Sequence, residues 1–183
     1  DLVQTIKDRC HECYACVRNC AAKAVKVNKG QAHIISERCL HCANCVDICS
    51  QGAKKIKNFK PEVVQLLKND KKVVAGLAPS FPAYNPEISL KGWKSYLKQL
   101  GFAGVYEVAW GAQLMIKEYK RYLEATEDLV ISSACPVIVN YIEKYYPELI
   151  PNLASVVSPM GALVEYIKKE EGEDTPIVLI GPC

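Results

Sequence analysis

Two cysteine runs of identical spacing constrain this chain more than any other feature of its sequence. Each run reads C-x2-C-x2-C-x3-C, and together they hold eight of the ten cysteines within the first fifty residues. The first run is Cys10, Cys13, Cys16 and Cys20, and the second is Cys39, Cys42, Cys45 and Cys49. A chain of 183 residues, half of them hydrophobic, can build its own core. It therefore does not need these cysteines as structural cross-links.

The spacing favours metal ligation over disulfide formation. Zinc sites usually combine separated C-x2-C pairs. Three thiolates in such close succession instead wrap one corner of an iron–sulfur cluster, and this run is typical of bacterial ferredoxins. Two 4Fe–4S clusters are therefore the first interpretation, with zinc and disulfides as the alternatives. His11 and His41 lie inside the runs, and we expect surface or supporting roles for them because all eight thiols are present.

The two runs belong to an internal repeat with one constant offset, which relates Arg9 to Arg38 and Ala24 to Ala53 as it relates the cysteines. Between the runs, residues 25–27 and 32–35 flank the turn at 28–30 and predict a β-hairpin. Over about residues 1–57 this arrangement resembles the two-cluster ferredoxins. The resemblance implies that the fourth cysteine of each run ligates the other cluster. One cluster would be held by Cys10, Cys13, Cys16 and Cys49, and the other by Cys39, Cys42, Cys45 and Cys20.

After residue 58 the sequence alternates between strand and helix patterns. Strands are predicted over residues 72–78, 105–109, 129–133 and 177–180. Helices are predicted over residues 61–68, 90–100 and 112–123, with two more that begin at Pro136 and Pro159. This alternation favours a parallel, doubly wound α/β sheet. We therefore predict a ferredoxin-like α+β domain over residues 1–57 and an α/β domain over residues 58–183.

Ligands of such sheets collect beyond the carboxyl ends of the strands. Three segments are expected there: A-P-S at residues 78–80, S-S-A-C-P at 132–136 and G-P-C at 181–183. They contain the two remaining cysteines, Cys135 and Cys183. A lone cysteine is most often a small buried hydrophobe, but two beside proline at strand ends suggest ligands. Two thiolates do not complete a four-cysteine site, so further chain or another subunit would supply the rest.

At these residues the sequence resembles an iron-only (FeFe) hydrogenase over essentially the whole chain. The segment at 132–136 resembles the family's T-S-C-C-P motif, and that at 181–183 its M-P-C motif. The resemblance implies an H-cluster, a 4Fe–4S cubane with a diiron subcluster, that takes Cys135 and Cys183 as two of four cubane ligands. The other two ligands belong to a segment that this chain lacks, so residues 58–183 would be a partial H-domain, inactive alone. Residues at the cofactor would be Ala78, Pro79, Ser80, Ser133 and Pro182.

The proton-relay positions depart from the family pattern. Catalytic members pass protons through two glutamates, a serine and the first cysteine of T-S-C-C-P. The corresponding residues here are Tyr119, Tyr122, Ala154 and Ala134, so we assign no catalytic residue. A methyl group cannot carry a proton, and tyrosine, with a pKa near 10, carries one poorly. This combination resembles the sensory branch of the family, in which a slow hydrogenase-like centre is coupled to signalling. Gly181 replaces the methionine of M-P-C and is expected to open space near the diiron site.

Charge and hydropathy exclude other classes of protein. The formal charge is +3, and two oxidised clusters with their thiolates, at about −2 each, would bring it to about −1. The basic residues therefore do not predict nucleic-acid binding. No apolar run approaches the roughly 18–20 residues of a membrane span, and no export signal is visible. We expect a cytoplasmic protein whose partner is an external electron carrier such as ferredoxin.

Three alternatives stay open. The first is an ordinary catalytic FeFe hydrogenase with another proton route. The second is a hydrogenase-like cytosolic iron–sulfur assembly factor, a class that carries S-A-C-P but has a single N-terminal four-cysteine set. The third is a ferredoxin-type electron carrier with a non-catalytic α/β extension, which becomes the default if the natural chain ends at Cys183. The hydrogenase interpretation requires the missing half of the H-domain, or a partner subunit in its place.

Overall fold

A computed structural model of the chain describes residues 2–69 and 72–182. The chain forms two compact units. The first, which we call the cysteine unit, comprises Asp1–Asn58 and Cys135–Pro151; the second, the sheet unit, comprises Phe59–Ala134 and Asn152–Cys183. The sequence predicted one boundary, at residue 57. In the structure a second segment, beginning at Cys135, packs with the N-terminal residues.

The N-terminal part of the cysteine unit forms short elements separated by loops. In chain order these are β1 (Val3–Thr5), a 3-10 turn (Lys7–Arg9), α1 (Ala15–Arg18), β2 (Val25–Asn28), β3 (Gln31–Ile34), α2 (Asn44–Asp47) and β4 (Lys54–Ile56). Strands β2 and β3 pair antiparallel and confirm the predicted hairpin. Its two-residue loop, Lys29 and Gly30, has positive φ at both positions, as a type I′ turn requires. Strands β1 and β4, which the sequence did not predict, also pair antiparallel.

The internal repeat is visible in the backbone. Helices α1 and α2 begin at equivalent positions of the repeat, as do strands β2 and β4. The left-handed backbone positions repeat as well. Positive φ occurs in three equivalent pairs: Glu12 with His41, Tyr14 with Ala43, and Lys23 with Gly52. The two halves of this segment therefore share one local conformation, although most of their side chains differ.

The rest of the chain alternates strands with helices. Its elements are α3 (Lys60–Asn69), β5 (Val74–Leu77), α4 (Phe81–Tyr84), α5 (Leu90–Gln99), β6 (Gly104–Glu107), α6 (Val108–Glu124), α7 (Pro136–Tyr145), a 3-10 segment (Pro147–Asn152), α8 (Pro159–Glu171) and β7 (Ile177–Ile180). Polar caps fix several helix ends. Ser89 accepts a hydrogen bond from Gly92 N at 3.2 Å at the start of α5, and Ser158 accepts one from Gly161 N at 3.1 Å at the start of α8.

A three-stranded parallel sheet, in the order β6-β5-β7, organises the sheet unit. The central strand β5 is buried along its whole length, as strands covered on both faces must be. Ala75 and Leu77 pack with α3 and α5 on one face. Val74 packs with Leu163 and Ile167 of α8 on the other. Helices therefore cover both faces, and the predicted α/β architecture with a parallel sheet is confirmed for this unit.

One predicted strand is wrong. Residues 129–133 were expected to form a strand of the sheet, but they form only a single parallel bridge, between Ile131 and Leu153. Ile131 N donates to Asn152 O at 2.7 Å, and Ala154 N donates to Ile131 O at 2.9 Å. The segment is extended and hydrophobic, which explains the prediction, but its backbone pairs with the chain that precedes α8. Strand β6 is also shorter than predicted, because α6 begins at Val108.

The described residues contain no helix that is both long and apolar enough to cross a membrane.

Close packing of α6 on α8 predicts a stability effect at Gly111. A Cβ atom there would overlap the carbonyl oxygen of Pro159 and crowd Leu163. We expect Gly111→Ala to lower the free energy of unfolding by about 1–3 kcal/mol, the usual cost of overpacking. Gly161→Ala is the control, because its Cβ would meet neighbours at an ordinary 3.5 Å. Thermal unfolding followed by circular dichroism checks both variants, and equal midpoints would contradict the prediction.

Candidate functional site

Four thiols drawn from both runs line one cavity of the cysteine unit. They belong to Cys10, Cys13, Cys16 and Cys49. These are the residues that the ferredoxin resemblance assigns to one cluster. Cys16 is buried, Cys13 is exposed, and the other two are half-buried. Ala32, Ala53 and Lys54 complete the inner wall.

A second cavity is lined by the other four thiols of the runs, those of Cys20, Cys39, Cys42 and Cys45. Cys42 is exposed like its equivalent Cys13, whereas Cys39 is buried and its equivalent Cys10 is half-buried. Apolar side chains, among them Val3, Val25 and Ile34, form its wall. The structure thus brings the eight cysteines together in the two predicted sets. His11 and His41 are both exposed.

Backbone amides hydrogen-bond to the thiol sulfurs at equivalent positions. Ala24 N donates to Cys20 Sγ, and Ala53 N donates to Cys49 Sγ, both at 3.2 Å. His41 N donates to Cys39 Sγ at 3.4 Å. Such hydrogen bonds stabilise a thiolate and tune the reduction potential of any cluster bound to it.

The donor set of each cavity fits a 4Fe–4S cubane. Among the described residues, no group of three or more His, Cys, Asp or Glu side chains is placed to hold a single metal ion. A 4Fe–4S cubane instead takes one thiolate per iron, so its four sulfurs surround a larger cage. Four thiols around a cavity, with amide donors to their sulfurs, match that requirement.

The thiols differ in acidity. Burial raises the pKa of Cys45 to about 11 and also raises that of Cys16, while the charge of Lys54 opposes the shift at both. At Cys49 burial acts in the same direction, but backbone N–H groups of residues 51, 53 and 54 outweigh it and the pKa lies below its ordinary value. Because ligation requires thiolates, binding of iron would release protons from the buried thiols.

Helix α7 is held against the second cavity. Tyr145 Oη donates to Ala22 O at 2.6 Å, and Lys144 Nζ donates to Cys39 O at 2.8 Å. Val137 packs against the buried group that contains Cys39. Cys135, which is exposed, is the N-cap residue of this helix. A helix that begins at a predicted H-cluster ligand is therefore attached to the loop that carries a cysteine of the second set.

Two of the three predicted strand-end segments meet at the carboxyl edge of the sheet. Ala78 N donates to Ile180 O at 2.9 Å, so residues 78–80 directly follow β5 beside 181–182. Pro79, Ser80 and Pro182 are exposed. A Cβ at Gly181 would lie 2.5 Å from Ala78 Cβ, so the glycine allows these two segments to approach closely. Residues 132–134 follow no strand of this sheet, and Cys183 lies outside the described residues.

Tyr119 organises the loop before Cys135. Its hydroxyl lies 3.0 Å from Ser132 Oγ and accepts a hydrogen bond from Ser133 N at 3.2 Å. Ser133 Oγ donates to Val156 O at 2.6 Å. Burial raises the pKa of Tyr119, but these hydrogen bonds outweigh it and leave the pKa below its ordinary value. Tyr122 and Ala134 are half-buried, and Ala154 is buried.

Two known protein families match this chain over different residues. Residues 71–183 match the iron only hydrogenase large subunit, C-terminal domain, and residues 2–50 match a 4Fe-4S dicluster domain. The chain belongs to the iron-only hydrogenase family. It is an iron–sulfur, hydrogenase-like protein.

Individual relatives agree with this assignment. The periplasmic [Fe] hydrogenase large subunit of Nitratidesulfovibrio vulgaris is 34% identical over 178 residues, which cover 87% of this chain and 42% of the relative. Iron hydrogenase 1 of Clostridium pasteurianum is 35% identical over 108 residues, 49% of this chain and 18% of that protein. The cytosolic Fe-S cluster assembly factor NAR1 of Candida dubliniensis is 36% identical over 67 residues, 35% of this chain and 12% of that factor.

A solved structure also resembles this fold. The [FeFe]-hydrogenase HydA(deltaEFG), determined in a study of stepwise H-cluster assembly, superposes with a TM-score of 0.57 at 25% identity. The match covers 69% of this chain and 38% of that one. This chain thus spans less than half the length of the hydrogenases it matches.

The Tyr119 network predicts a measurable contribution to stability. Tyr119→Phe removes the acceptor of Ser133 N and leaves that half-buried donor unsatisfied. We expect the free energy of unfolding to fall by about 1 kcal/mol or somewhat more. Tyr122→Phe is the matched control, because no hydrogen bond of the Tyr122 hydroxyl is present among the described residues. Chemical denaturation measures both changes, and an equal effect of the two would show that Tyr119 does not hold the loop.

Proposed function

We propose that this chain is the N-terminal part of a sensory-type FeFe hydrogenase with a ferredoxin-like, two-cluster domain. One observation carries the two-cluster part: each cavity is lined by the four cysteines that the ferredoxin resemblance assigns to one cluster. When bound, such clusters supply one-electron transfer between an external carrier and an H-cluster. The chain's own contribution is to hold eight thiols in two sets and to donate backbone hydrogen bonds to their sulfurs.

Helix α7 supports a path from the second cavity to the hydrogenase centre. It is fixed to the loop of Cys39 by Lys144 and begins at Cys135. Cys135 and Cys183 would ligate the H-cluster once the two missing ligands are supplied. An H-cluster at these residues is proposed from the family membership.

The relay positions support slow turnover. Tyr119 lies where a relay glutamate would stand, and its hydroxyl is engaged with the loop at 132–133. The Ser133 hydroxyl donates to a backbone carbonyl, which cannot pass a proton onward. Ala154 and Ala134 have no group that exchanges protons. Together the four relay positions, Tyr119, Tyr122, Ala134 and Ala154, favour a sensory role, in which the redox state of the centre matters more than its rate.

The proposal includes an electron-transfer partner and a cellular location for the protein. An external carrier such as ferredoxin would exchange electrons with the exposed edge of the cysteine unit, where Cys13 and Cys42 lie. A cytoplasmic location is proposed because eight free thiols suit a reducing compartment.

A second candidate function is iron–sulfur assembly, because the chain resembles the factor NAR1 over 67 residues. The two complete cysteine sets favour the hydrogenase, since assembly factors of this kind carry one. An ordinary hydrogenase with another proton route is separated from the sensory type by its rate of hydrogen turnover.

Removal of one thiol from each set tests the two-cluster proposal. The reconstituted chain should contain about eight irons, and Cys13→Ser or Cys42→Ser should each lower this to about four, since each disables one cubane. His11→Ala and His41→Ala are the controls and should retain the full content. Iron and sulfide analysis measures the outcome. A wild-type content of one or two metals per chain would contradict the proposal.

Replacement of Ala134 by cysteine, which restores the relay thiol, tests the proposed sensory role. In the intact protein, hydrogen turnover should be slow, and Ala134→Cys should raise it by at least about tenfold, because a positioned acid–base group contributes about 10²–10⁴-fold. Ala125→Cys, at the exposed end of α6, is the matched control and should change nothing. Hydrogen evolution with reduced methyl viologen gives both rates.

Two results of this assay would count against the sensory interpretation. Wild-type turnover at the rate of a bulk hydrogen producer would refute it directly. A slow wild type with no gain in a variant that restores all four relay groups (Ala134→Cys, Ala154→Ser, Tyr119→Glu and Tyr122→Glu) would show that the relay does not limit the rate.

A further inference from the structure

A buried lysine lies in the wall of the first cavity. Lys54 on β4 is 3% exposed, although its neighbours Lys55 and Ile56 on the same strand are exposed. Its Nζ donates to Thr5 Oγ1 at 2.6 Å and to Ala32 O at 2.9 Å. Both acceptors are neutral, and no carboxylate among the described residues forms an ion pair with this ammonium. A buried charge with neutral partners is costly unless an opposite charge lies near.

The internal repeat shows that this charge is present on one side only. The same offset that relates the cysteine runs relates Lys54 to Val25, Thr5 to Ile34, and Ala32 to Val3. The polar side chains of Lys54 and Thr5 therefore have apolar counterparts in Val25 and Ile34. Val3, Val25 and Ile34 line the second cavity, whereas Lys54 and Ala32 line the first. The two cavities share a backbone conformation and a cysteine pattern. Their buried linings differ by one positive charge, and the exposed His11 and Glu12 also line the first cavity.

Lys54 lines the first cavity together with Cys10, Cys13, Cys16 and Cys49. An oxidised cubane with four thiolates carries about −2, and reduction adds a further negative charge. A cation in a wall of low dielectric favours the reduced form, because interior charges are weakly screened.

We infer that the charge of Lys54 makes the cluster in the first cavity, that of Cys10, Cys13, Cys16 and Cys49, easier to reduce than the cluster in the second cavity. This inference rests on the proposed two-cluster function and specifies it further. The cluster-bound thiolates supply the counter-charge that the ammonium lacks among its hydrogen-bond partners. Helix α7, which begins after Cys135, contacts residues of the second cavity. Electrons would therefore be held on the cluster of the first cavity, which this helix does not contact through these residues.

Redox titration of the reconstituted chain, followed by electron paramagnetic resonance, tests the inference. Lys54→Met removes the charge and retains a long side chain. At a fixed ambient potential it should lower the reduced-to-oxidised ratio of the first cluster by at least about tenfold, which is about 59 mV for a one-electron couple. The second cluster should shift less. Cys13→Ser and Cys42→Ser, each altering one set, assign the two signals.

Lys55→Met is the matched control. It removes the same charge from the adjacent, exposed position of β4, where solvent screens it. Its effect on both potentials should be well below that of Lys54→Met. If Lys54→Met does not load iron, Lys54→Gln, which is neutral and keeps a hydrogen-bond donor, takes its place in the same titration.

The outcomes separate this inference from the proposal on which it rests. Full iron content with unchanged potentials in the Lys54 variants would overturn the role of Lys54 and leave the two-cluster proposal intact. An equal shift in Lys55→Met would also overturn it, because net charge alone would then explain the effect. A wild-type chain that holds no 4Fe–4S cluster would refute both.

Discussion

The interleaving of the two cysteine sets is the constraint on which the cysteine unit depends. Cys49 of the second run completes the first set, and Cys20 of the first run completes the second. Neither half can therefore form its cavity without the other. The buried side chains between them are largely alanines and cysteines, which bury little apolar area. Hydrophobic burial stabilises so small a core weakly, so bonds from thiolates to bound clusters would contribute much of the folding free energy.

The backbone bears a cost to place these thiols. Glu12, Tyr14, His41 and Ala43 adopt positive φ beside the middle cysteines of the runs, at about 1–2 kcal/mol for each residue with a side chain. Such conformations persist where the surrounding structure requires them, and they collect at functional sites. Here they occur at equivalent positions of both halves. They therefore belong to the cysteine pattern that the two halves share.

Local chemical signals account for most of what could be predicted. Ser89, Ser158 and Gly101 mark helix ends that the structure retains, and the resemblance to two-cluster ferredoxins implied the two sets of thiols that line the cavities. The failures involve contacts distant along the chain. Strands β1 and β4 are very short and pair across almost the whole N-terminal segment, too short for a periodic pattern. The extended segment at 129–133 has the composition of a strand, yet composition does not specify its pairing partner.

Two features of the site show where long-range information was missing. Helix α7 was predicted as a helix, but no pattern indicated that Tyr145 and Lys144 would bind carbonyls of the N-terminal cysteine loops, far earlier in the chain. Lys54 stands in a lysine-rich stretch that is typical of a solvated edge. Its repeat partner, Val25, was the available signal, because a position that is apolar and buried in one half of a repeat is expected to be buried in the other.

Tyr119 and Ser133 stabilise the loop that leads to Cys135, and their hydrogen bonds end at Val156 O. Ala154 is buried, and its methyl group cannot carry a proton. Within residues 58–183, every cysteine expected from the resemblance is present except the one that Ala134 replaces. In the proposed sensory function the output would be the redox state of the clusters, and the buried charge of Lys54 beside one cavity would be a direct means of setting that state.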